Sequence, residues 1–143
     1  YNPILDDFFW ASKGKGAWCN NNRLRVSKRQ DIMDCVIGTG IPHMDRIYPQ
    51  YLKEIDAITK NCSGLRRMGA ASIDLAYVAA GKLDAYWERN LNIWDVSAGV
   101  LLVKEAGGRV SQPNGESWDI HSKDILVSNS NIHEIIQEKL EII

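Results

Sequence analysis

Apolar residues recur at helical spacing in four stretches of the chain. A helix is predicted over residues 48–60, because one face carries Tyr48, Leu52, Ile55 and Ile58. Small and apolar residues from Gly69 to Ala80 predict a second helix, which Gly81 ends. The apolar run over residues 95–106 predicts a third. A fourth is predicted at the C-terminus, where the apolar face comprises Ile132, Ile135, Ile136 and Leu140.

Short apolar or alternating segments predict strands between these helices, at residues 35–38, 83–87, 109–111 and 125–128. The first 27 residues are typical of β structure, with a turn at Asn20–Asn22, because asparagine tolerates the left-handed backbone. The alternation over residues 23–26 predicts a half-buried strand after this turn. From about Cys35 onward strands and helices alternate, which predicts an α/β fold.

Two local signals predict how elements begin and end. Gly38-Thr39-Gly40 follows a predicted buried strand and lacks the lysine of a phosphate-binding P-loop, so a plain turn is expected. Asn131 is followed three residues later by Glu134, which resembles a capping box at the start of the last helix.

Composition narrows the class of protein. The chain has 143 residues, 45% hydrophobic and 24% charged, as expected for one soluble globular domain with a core that five tryptophans help to fill. A formal net charge of −1 gives no electrostatic basis for nucleic-acid binding. No apolar run approaches the roughly 20 residues that span a bilayer. No signal peptide is recognisable, so a cytoplasmic location is expected.

The cysteines and histidines give no sign of a metal site. The cysteines are widely spaced and form no C-x-x-C pair, so reduced thiols are predicted for Cys19, Cys35 and Cys62. The histidines are equally scattered. Surface positions or satisfied hydrogen bonds are predicted for His43, His121 and His133.

Asp95 is the most informative carboxylate, because it stands at the mouth of the apolar helix over residues 95–106. From the residues alone a plain N-cap is favoured, which would satisfy free N–H groups and suit the helix dipole. An aspartate held there could also bind a metal over a substrate. Taken alone, Glu88 is typical of a solvated strand-end acid and residues 69–71 of helix packing. Asp74 and Asp84 are predicted to be structural.

Three separated motifs in a fixed order carry a resemblance to a known family. They are residues 1–27, residues 67–88, and the run Trp94-Asp95-Val96-Ser97-Ala98-Gly99 that leads through aliphatic residues to Glu105-Ala106-Gly107-Gly108. With these motifs the chain resembles the inositol monophosphatase family, and within it the SuhB-like bacterial branch. The resemblance implies the C-terminal half of the layered αβαβα sandwich of the inositol monophosphatase and fructose-1,6-bisphosphatase superfamily.

The resemblance also implies an active site. Asp95 matches the family's C-terminal Mg²⁺ ligand, which also lies near the substrate ring, and Glu88 matches the acid that accepts hydrogen bonds from inositol hydroxyls. Gly69 and Ala71, with Ala70 between them, match the helix start whose backbone faces the substrate. The implied reaction is Mg²⁺-dependent hydrolysis of a phosphate monoester, with inositol monophosphate favoured over fructose 1,6-bisphosphate, histidinol phosphate and phosphoadenosine phosphate.

The family's other metal ligands come from a G-x-E segment and a D-P-[IL]-D-G-[TS] motif, and this sequence contains neither. The chain also begins at Tyr1 without a methionine. We therefore expect residues 1–143 to be a single or partial domain, cut from a longer protein or encoded by a split gene. Such a piece would supply one metal ligand and part of the substrate pocket.

Two alternatives to catalysis remain open at this point. Members of the SuhB-like branch are associated with RNA polymerase and ribosomal RNA antitermination complexes, so the resemblance allows a binding role with RNA polymerase-associated factors. A degenerate remnant with neither activity is the other. The resemblance further implies a homodimer.

Overall fold

The computed structural model describes residues 1–41 and 49–141, so His43 and Tyr48 lie outside the described residues. Within these ranges the strands are β1 (Phe9–Ser12), β2 (Gly16–Cys19), β3 (Asn22–Arg23), β4 (Val36–Thr39), β5 (Gly64–Arg66), β6 (Ala85–Glu88), β7 (Arg109–Ser111) and β8 (Ile125–Ser128). The helices are α1 (Pro49–Thr59), α2 (Ala71–Ala79), α3 (Ile93–Glu105) and α4 (His133–Glu141), with a short 3₁₀ turn at Ile32–Asp34.

A five-stranded sheet with the order β5-β4-β6-β8-β7 forms the centre of the molecule. β4 pairs in parallel with β5 and β6, whereas β8 runs antiparallel to β6 and β7. The first three strands form a separate antiparallel sheet. Because β4 and β6 are parallel neighbours, the residues that follow both strands meet at one edge of the central sheet.

The two faces of the central sheet carry different helices. In β6, Tyr86 packs with the buried apolar residues of α2 and α3, while Ala85 and Trp87 pack with those of α1 and α4. This division follows from the strand period of two, which sends successive side chains to opposite faces.

The three-stranded sheet covers the far side of α3, so β and α layers alternate through the molecule. Glu105, at the end of α3, fixes it there by accepting hydrogen bonds from the backbone N–H groups of Gly14 and Gly16, at 2.8 and 2.9 Å. The layered α/β architecture is the predicted one. Across residues 1–41 and 49–141, no helix combines the length and the apolar composition that crossing a bilayer demands.

Four local predictions are wrong. The strand over residues 23–26 ends at Arg23, because the N–H of Val26 donates instead to Ala106 O at the end of α3. Gly38-Thr39-Gly40 is no turn, since β4 continues through Thr39. The tryptophans do not all fill the core, because Trp94 is 76% exposed and Trp10 40% exposed.

The fourth error concerns the start of α4. Asn131 turns away from the helix and donates to the backbone carbonyls of Lys28 and Arg29, and Glu134 pairs with Arg109. Asn129 instead fixes the segment just before the helix, because its side-chain oxygen accepts hydrogen bonds from the N–H groups of residues 131 and 132. The predicted capping box is therefore absent from this helix start.

Candidate functional site

A cleft of about 210 Å³ opens at the edge of the central sheet where β4 and β6 end. The starts of α2 and α3 form its other walls, so four separate chain segments converge there. Ligand sites in sheets with parallel strands commonly lie outside the carboxyl ends of those strands. The residues that line the cleft are Gly40, Ile41, Arg67, Gly69, Ala70, Ala71, Asp74, Glu88, Leu91 and Asp95.

Asp95 lies in the first turn of α3, and the predicted N-cap position belongs to Asn92 instead. Asp95 Oδ2 accepts a hydrogen bond of 3.0 Å from the backbone N–H of Asn92, as the third residue of a helix does in a capping box. Its Oδ1 makes no hydrogen bond with the described residues. The side chain is half-buried at the cleft, so one carboxylate oxygen supports the helix start while the other remains able to bind a ligand.

Glu88 ends β6 and is half-buried at the cleft wall, so it is not simply a solvated strand-end acid. The hydroxyl of Tyr86, two residues earlier on the same face of the strand, donates a hydrogen bond to Glu88 Oε2. A Cβ at Gly40 would overlap the Glu88 carboxyl group. The absence of a side chain at Gly40 therefore makes room for Glu88 at the cleft.

The start of α2 brings backbone rather than side chains to the cleft. Ala70 is the N-cap residue and offers no side-chain oxygen to the first turn. Gly69, before it, adopts a φ of 86°, a conformation that glycine reaches without steric cost. The first N–H groups of a helix lack intrahelical acceptors and carry the positive end of its dipole, so an uncapped start of this kind suits an anion.

Asp74, which the sequence analysis predicted to be structural, also lines the cleft. The residue is only 1% exposed, and its Oδ1 is buried without a hydrogen-bond partner among residues 1–41 and 49–141. Burial first, and the negative charge of Glu88 second, raise the pKa of Asp74 to about 7, against the opposing charge of Arg67. The available signal in the sequence is one carboxylate within an otherwise apolar helix.

Asp84 lies away from the cleft, just before β6 begins. Its contacts support the structural role that the sequence analysis predicted. It is fully buried and accepts hydrogen bonds from the Ser27 hydroxyl, from Arg29 at 3.1 Å and from the backbone N–H of Val36 at 2.7 Å. These partners tie the irregular segment after the first sheet to the central one.

The cysteines and the described histidines lie outside the cleft. His133 is buried, with Nδ1 2.7 Å from the Ser128 hydroxyl and Nε2 2.9 Å from the Ser111 hydroxyl. Burial first, and the charge of Arg109 second, lower the pKa of this imidazole to about 4. His121 is exposed, and the three cysteine thiols are free.

The cleft matches Mg²⁺ in ligand type but not in ligand number. Asp74, Glu88 and Asp95 offer the hard oxygen donors that Mg²⁺ prefers. Within residues 1–41 and 49–141, however, no three His, Cys, Asp or Glu side chains are arranged to hold a metal ion. The described residues therefore bring carboxylate oxygens to the cleft but do not by themselves form a complete metal centre.

Comparisons with known proteins identify relatives of this chain. An inositol-1-monophosphatase from Caulobacter vibrioides is 46% identical over 143 residues, covering 98% of this chain and 56% of that protein. The Nus factor SuhB of Pseudomonas aeruginosa is 43% identical over 132 residues, covering 90% of this chain and 49% of that protein. The chain thus spans about half the length of the curated relatives it matches.

Solved structures give the same result. The extragenic suppressor protein SuhB from Bartonella henselae superposes with a TM-score of 0.94 at 45% identity, covering 99% of this chain and 55% of that one. Inositol monophosphatase from Anabaena superposes with a TM-score of 0.92 at 34% identity, covering 100% and 57%. The sequence profile described as "Inositol monophosphatase family" matches residues 1–143. The chain therefore belongs to the inositol monophosphatase family, in its SuhB-like branch.

Proposed function

We propose that this chain is the C-terminal part of a Mg²⁺-dependent phosphatase that hydrolyses phosphate monoesters, with inositol monophosphate as the favoured substrate. The observation that carries the proposal is the cleft at which Asp95, Glu88 and the uncapped start of α2 converge. These groups meet three requirements of such a substrate: a metal ligand, a partner for ring hydroxyls and a seat for an anion.

In this proposal Asp95 contributes one ligand to Mg²⁺ through its unpaired Oδ1. The remaining ligands come from the part of the family domain that this chain does not span. Mg²⁺, when bound, supplies Lewis-acid polarisation of the phosphate and lowers the pKa of a bound water. Asp95 also keeps α3 in place, because its Oδ2 holds the backbone N–H of Asn92.

The substrate would be oriented by two groups on this chain. Glu88 accepts hydrogen bonds from polyol hydroxyls, because a carboxylate is an acceptor with several lone pairs and is held at the cleft wall by Tyr86. The backbone at Gly69–Ala71 faces the substrate and offers N–H groups to its phosphate. Three carboxylates and one arginine leave the cleft negative, so a phosphate ester would enter together with a cation.

The same proposal includes the domain to which the chain belongs, its oligomeric state and its location. Residues 1–143 form the C-terminal portion of a sugar-phosphatase-type domain, in a homodimer located in the cytoplasm. Several apolar residues in the first ten positions are more than half exposed, namely Tyr1, Ile4, Leu5 and Phe8. Such an apolar surface supports the proposal that another layer of protein covers it in the complete protein.

Two experiments test the proposed function. Reading the coding DNA upstream of the Tyr1 codon is expected to reveal an open frame with the G-x-E and D-P-x-D-G-T motifs. In the complete gene product, Asp95→Asn is expected to reduce phosphate release from inositol monophosphate by more than about 100-fold, since loss even of a residue that orients a metal ligand costs 10–100-fold.

Asparagine can still accept the Asn92 hydrogen bond, so Asp95→Asn leaves the helix start intact and separates catalysis from folding. The matched control is Asp56→Asn. Asp56 is an exposed aspartate on α1 that pairs with Lys60 and is not among the residues that line the cleft. Normal phosphate release by Asp95→Asn would overturn the metal-ligand role. A stop codon or an unrelated sequence upstream would overturn the proposed catalysis for this chain, whereas the fold assignment would stand.

Binding to transcription complexes is a second candidate function, favoured by the relatives named Nus factor SuhB. A pull-down with the tagged chain from a bacterial extract is expected to retain RNA polymerase-associated factors if this candidate is correct. Their absence from the retained fraction, with an intact folded bait, would exclude it.

A further inference from the structure

Tyr86 stands out among the buried polar residues because its hydroxyl points to a proposed substrate-binding group. The residue is fully buried between the central sheet and the α2–α3 layer. A buried tyrosine hydroxyl generally requires a hydrogen-bond partner, and here Oε2 of Glu88 accepts its proton. Burial first, and the charge of Glu88 second, raise the pKa of Tyr86 far above its usual range, so the hydroxyl remains a donor.

Glu88 is therefore constrained from two directions. Tyr86 donates to its carboxylate from within the core, while the bare backbone of Gly40 leaves the space that the carboxyl group occupies. A glutamate side chain can rotate about three bonds, and both contacts restrict that rotation. Fixing it before the substrate arrives avoids the entropy cost of ordering it during binding.

We propose that Tyr86 is a positioning residue that sets the affinity of this phosphatase for hydroxyl-bearing substrates by fixing Glu88. The inference rests on the proposed function and extends it to a residue that the substrate does not touch. The hydrogen bond from Tyr86 to Glu88 affects only the binding of ring hydroxyls, because in the proposed complex the phosphate binds at Asp95 and the start of α2. Removing the Tyr86 hydroxyl therefore affects substrate affinity selectively.

The test compares two esters in the complete gene product: myo-inositol 1-phosphate, and phenyl phosphate, which has no hydroxyl for Glu88 to bind. Tyr86→Phe is expected to raise KM for the inositol ester by about 3- to 10-fold, the value of one hydrogen bond. Its kcat, and both constants for phenyl phosphate, are expected to change by less than about 2-fold. Tyr77→Phe is the matched control, since the Tyr77 hydroxyl makes no hydrogen bond with the described residues.

A double-mutant cycle shows whether Tyr86 acts through Glu88. In a Glu88→Ala background, Tyr86→Phe is expected to cause no further rise in KM, because the group it positions is gone. Gly40→Ala tests the steric side: it is expected to raise KM for the inositol ester in the wild-type background and to be tolerated with Glu88→Ala.

The outcomes are distinguishable. Equal KM changes for both esters, or additive effects of Tyr86→Phe and Glu88→Ala, overturn the positioning role while leaving the phosphatase assignment intact. If the wild-type protein with Mg²⁺ hydrolyses neither ester, the proposed function fails and this inference fails with it.

Discussion

Asp74 and Asp84 are two buried aspartates near opposite edges of the central sheet. Asp74 lies at the edge where β4 and β6 end, and Asp84 at the edge where β6 begins. Their surroundings differ completely. Asp84 is 0% exposed and receives hydrogen bonds from a hydroxyl, a guanidinium and a backbone N–H. Asp74 is 1% exposed, and its Oδ1 has no hydrogen-bond partner in the part of the chain that the structure describes. Equal burial therefore accompanies a satisfied carboxylate at one edge and an unsatisfied one at the other.

The difference shows where this fold tolerates unfavourable electrostatics. Buried polar groups are normally hydrogen-bonded, and exceptions concentrate at functional sites. The edge around Asp84 serves stability, because its contacts join segments far apart in the sequence. The edge around Asp74 holds the cleft, where the negative charge of Glu88 helps to raise the pKa of Asp74.

Replacement of Asp84 is expected to have the largest effect on stability. Asp84→Ala leaves the N–H of Val36 and the Arg29 guanidinium without their buried acceptor, so the free energy of unfolding should fall by about 3–5 kcal/mol. Urea unfolding followed by circular dichroism measures this. A loss below about 1 kcal/mol would contradict the structural role of this edge.

His133 is expected to produce the next largest effect, through pH. Its pKa falls from 6.5 in the unfolded chain to about 4 in the folded protein, so the unfolded state binds the extra proton between these values. The histidine's contribution is present above pH 6.5 and is lost as the pH falls towards 4, by about 3 kcal/mol in total. His133→Gln should remove this dependence, measured as the difference in unfolding free energy from wild type at each pH.

Asp74 is expected to act in the opposite direction. Its folded pKa of about 7 lies above the unfolded value of 3.8, so stability is present at low pH and is lost as the pH rises through this window. At pH 8 the neutral amide of Asp74→Asn should therefore raise the free energy of unfolding by about 1–3 kcal/mol. An unchanged or lower melting temperature at pH 8 would show that Asp74 is satisfied as Asp84 is.

The smallest effect is expected at the exposed ion pair of Arg109 and Glu134. The two side chains are 48% and 74% exposed and lie 2.9 Å apart, so solvent screens their attraction. A double-mutant cycle with alanine at both positions should give a coupling of less than about 0.5 kcal/mol. A larger coupling would contradict the expectation that solvent screens this exposed pair.

The sequence predicted the elements well where a periodic pattern alone determines them. The helix over residues 48–60 appears as α1 (Pro49–Thr59), and the buried strand at residues 125–128 is confirmed. The predictions failed where a distant partner competes for a backbone or side-chain group. Asn131 fits a helix cap by its local spacing, yet its amide bonds carbonyls more than 100 positions earlier.

The site could be predicted only in part for the same reason. The family motifs located Asp95, Glu88 and residues 69–71, which the fold brings to one cleft. The motif over residues 67–88 contains Arg67 and Asp74 but gave neither a site role, and no motif includes Gly40. These residues reach the cleft through the pairing of β4 with β6 and the position of α2. Proximity of this kind is a property of topology, and single-sequence patterns do not contain it.

Asn129 has a consequence for the order in which the protein folds. Its side chain joins Ser27 across 102 positions of the sequence, and its oxygen also accepts hydrogen bonds from the N–H groups of residues 131 and 132, just before α4. Bringing such distant groups together requires closing a long loop, which slows their pairing relative to contacts between neighbouring elements such as α2 and α3. The first sheet and the segment behind it are thus expected to dock late during folding, after the half of the chain that carries the cleft.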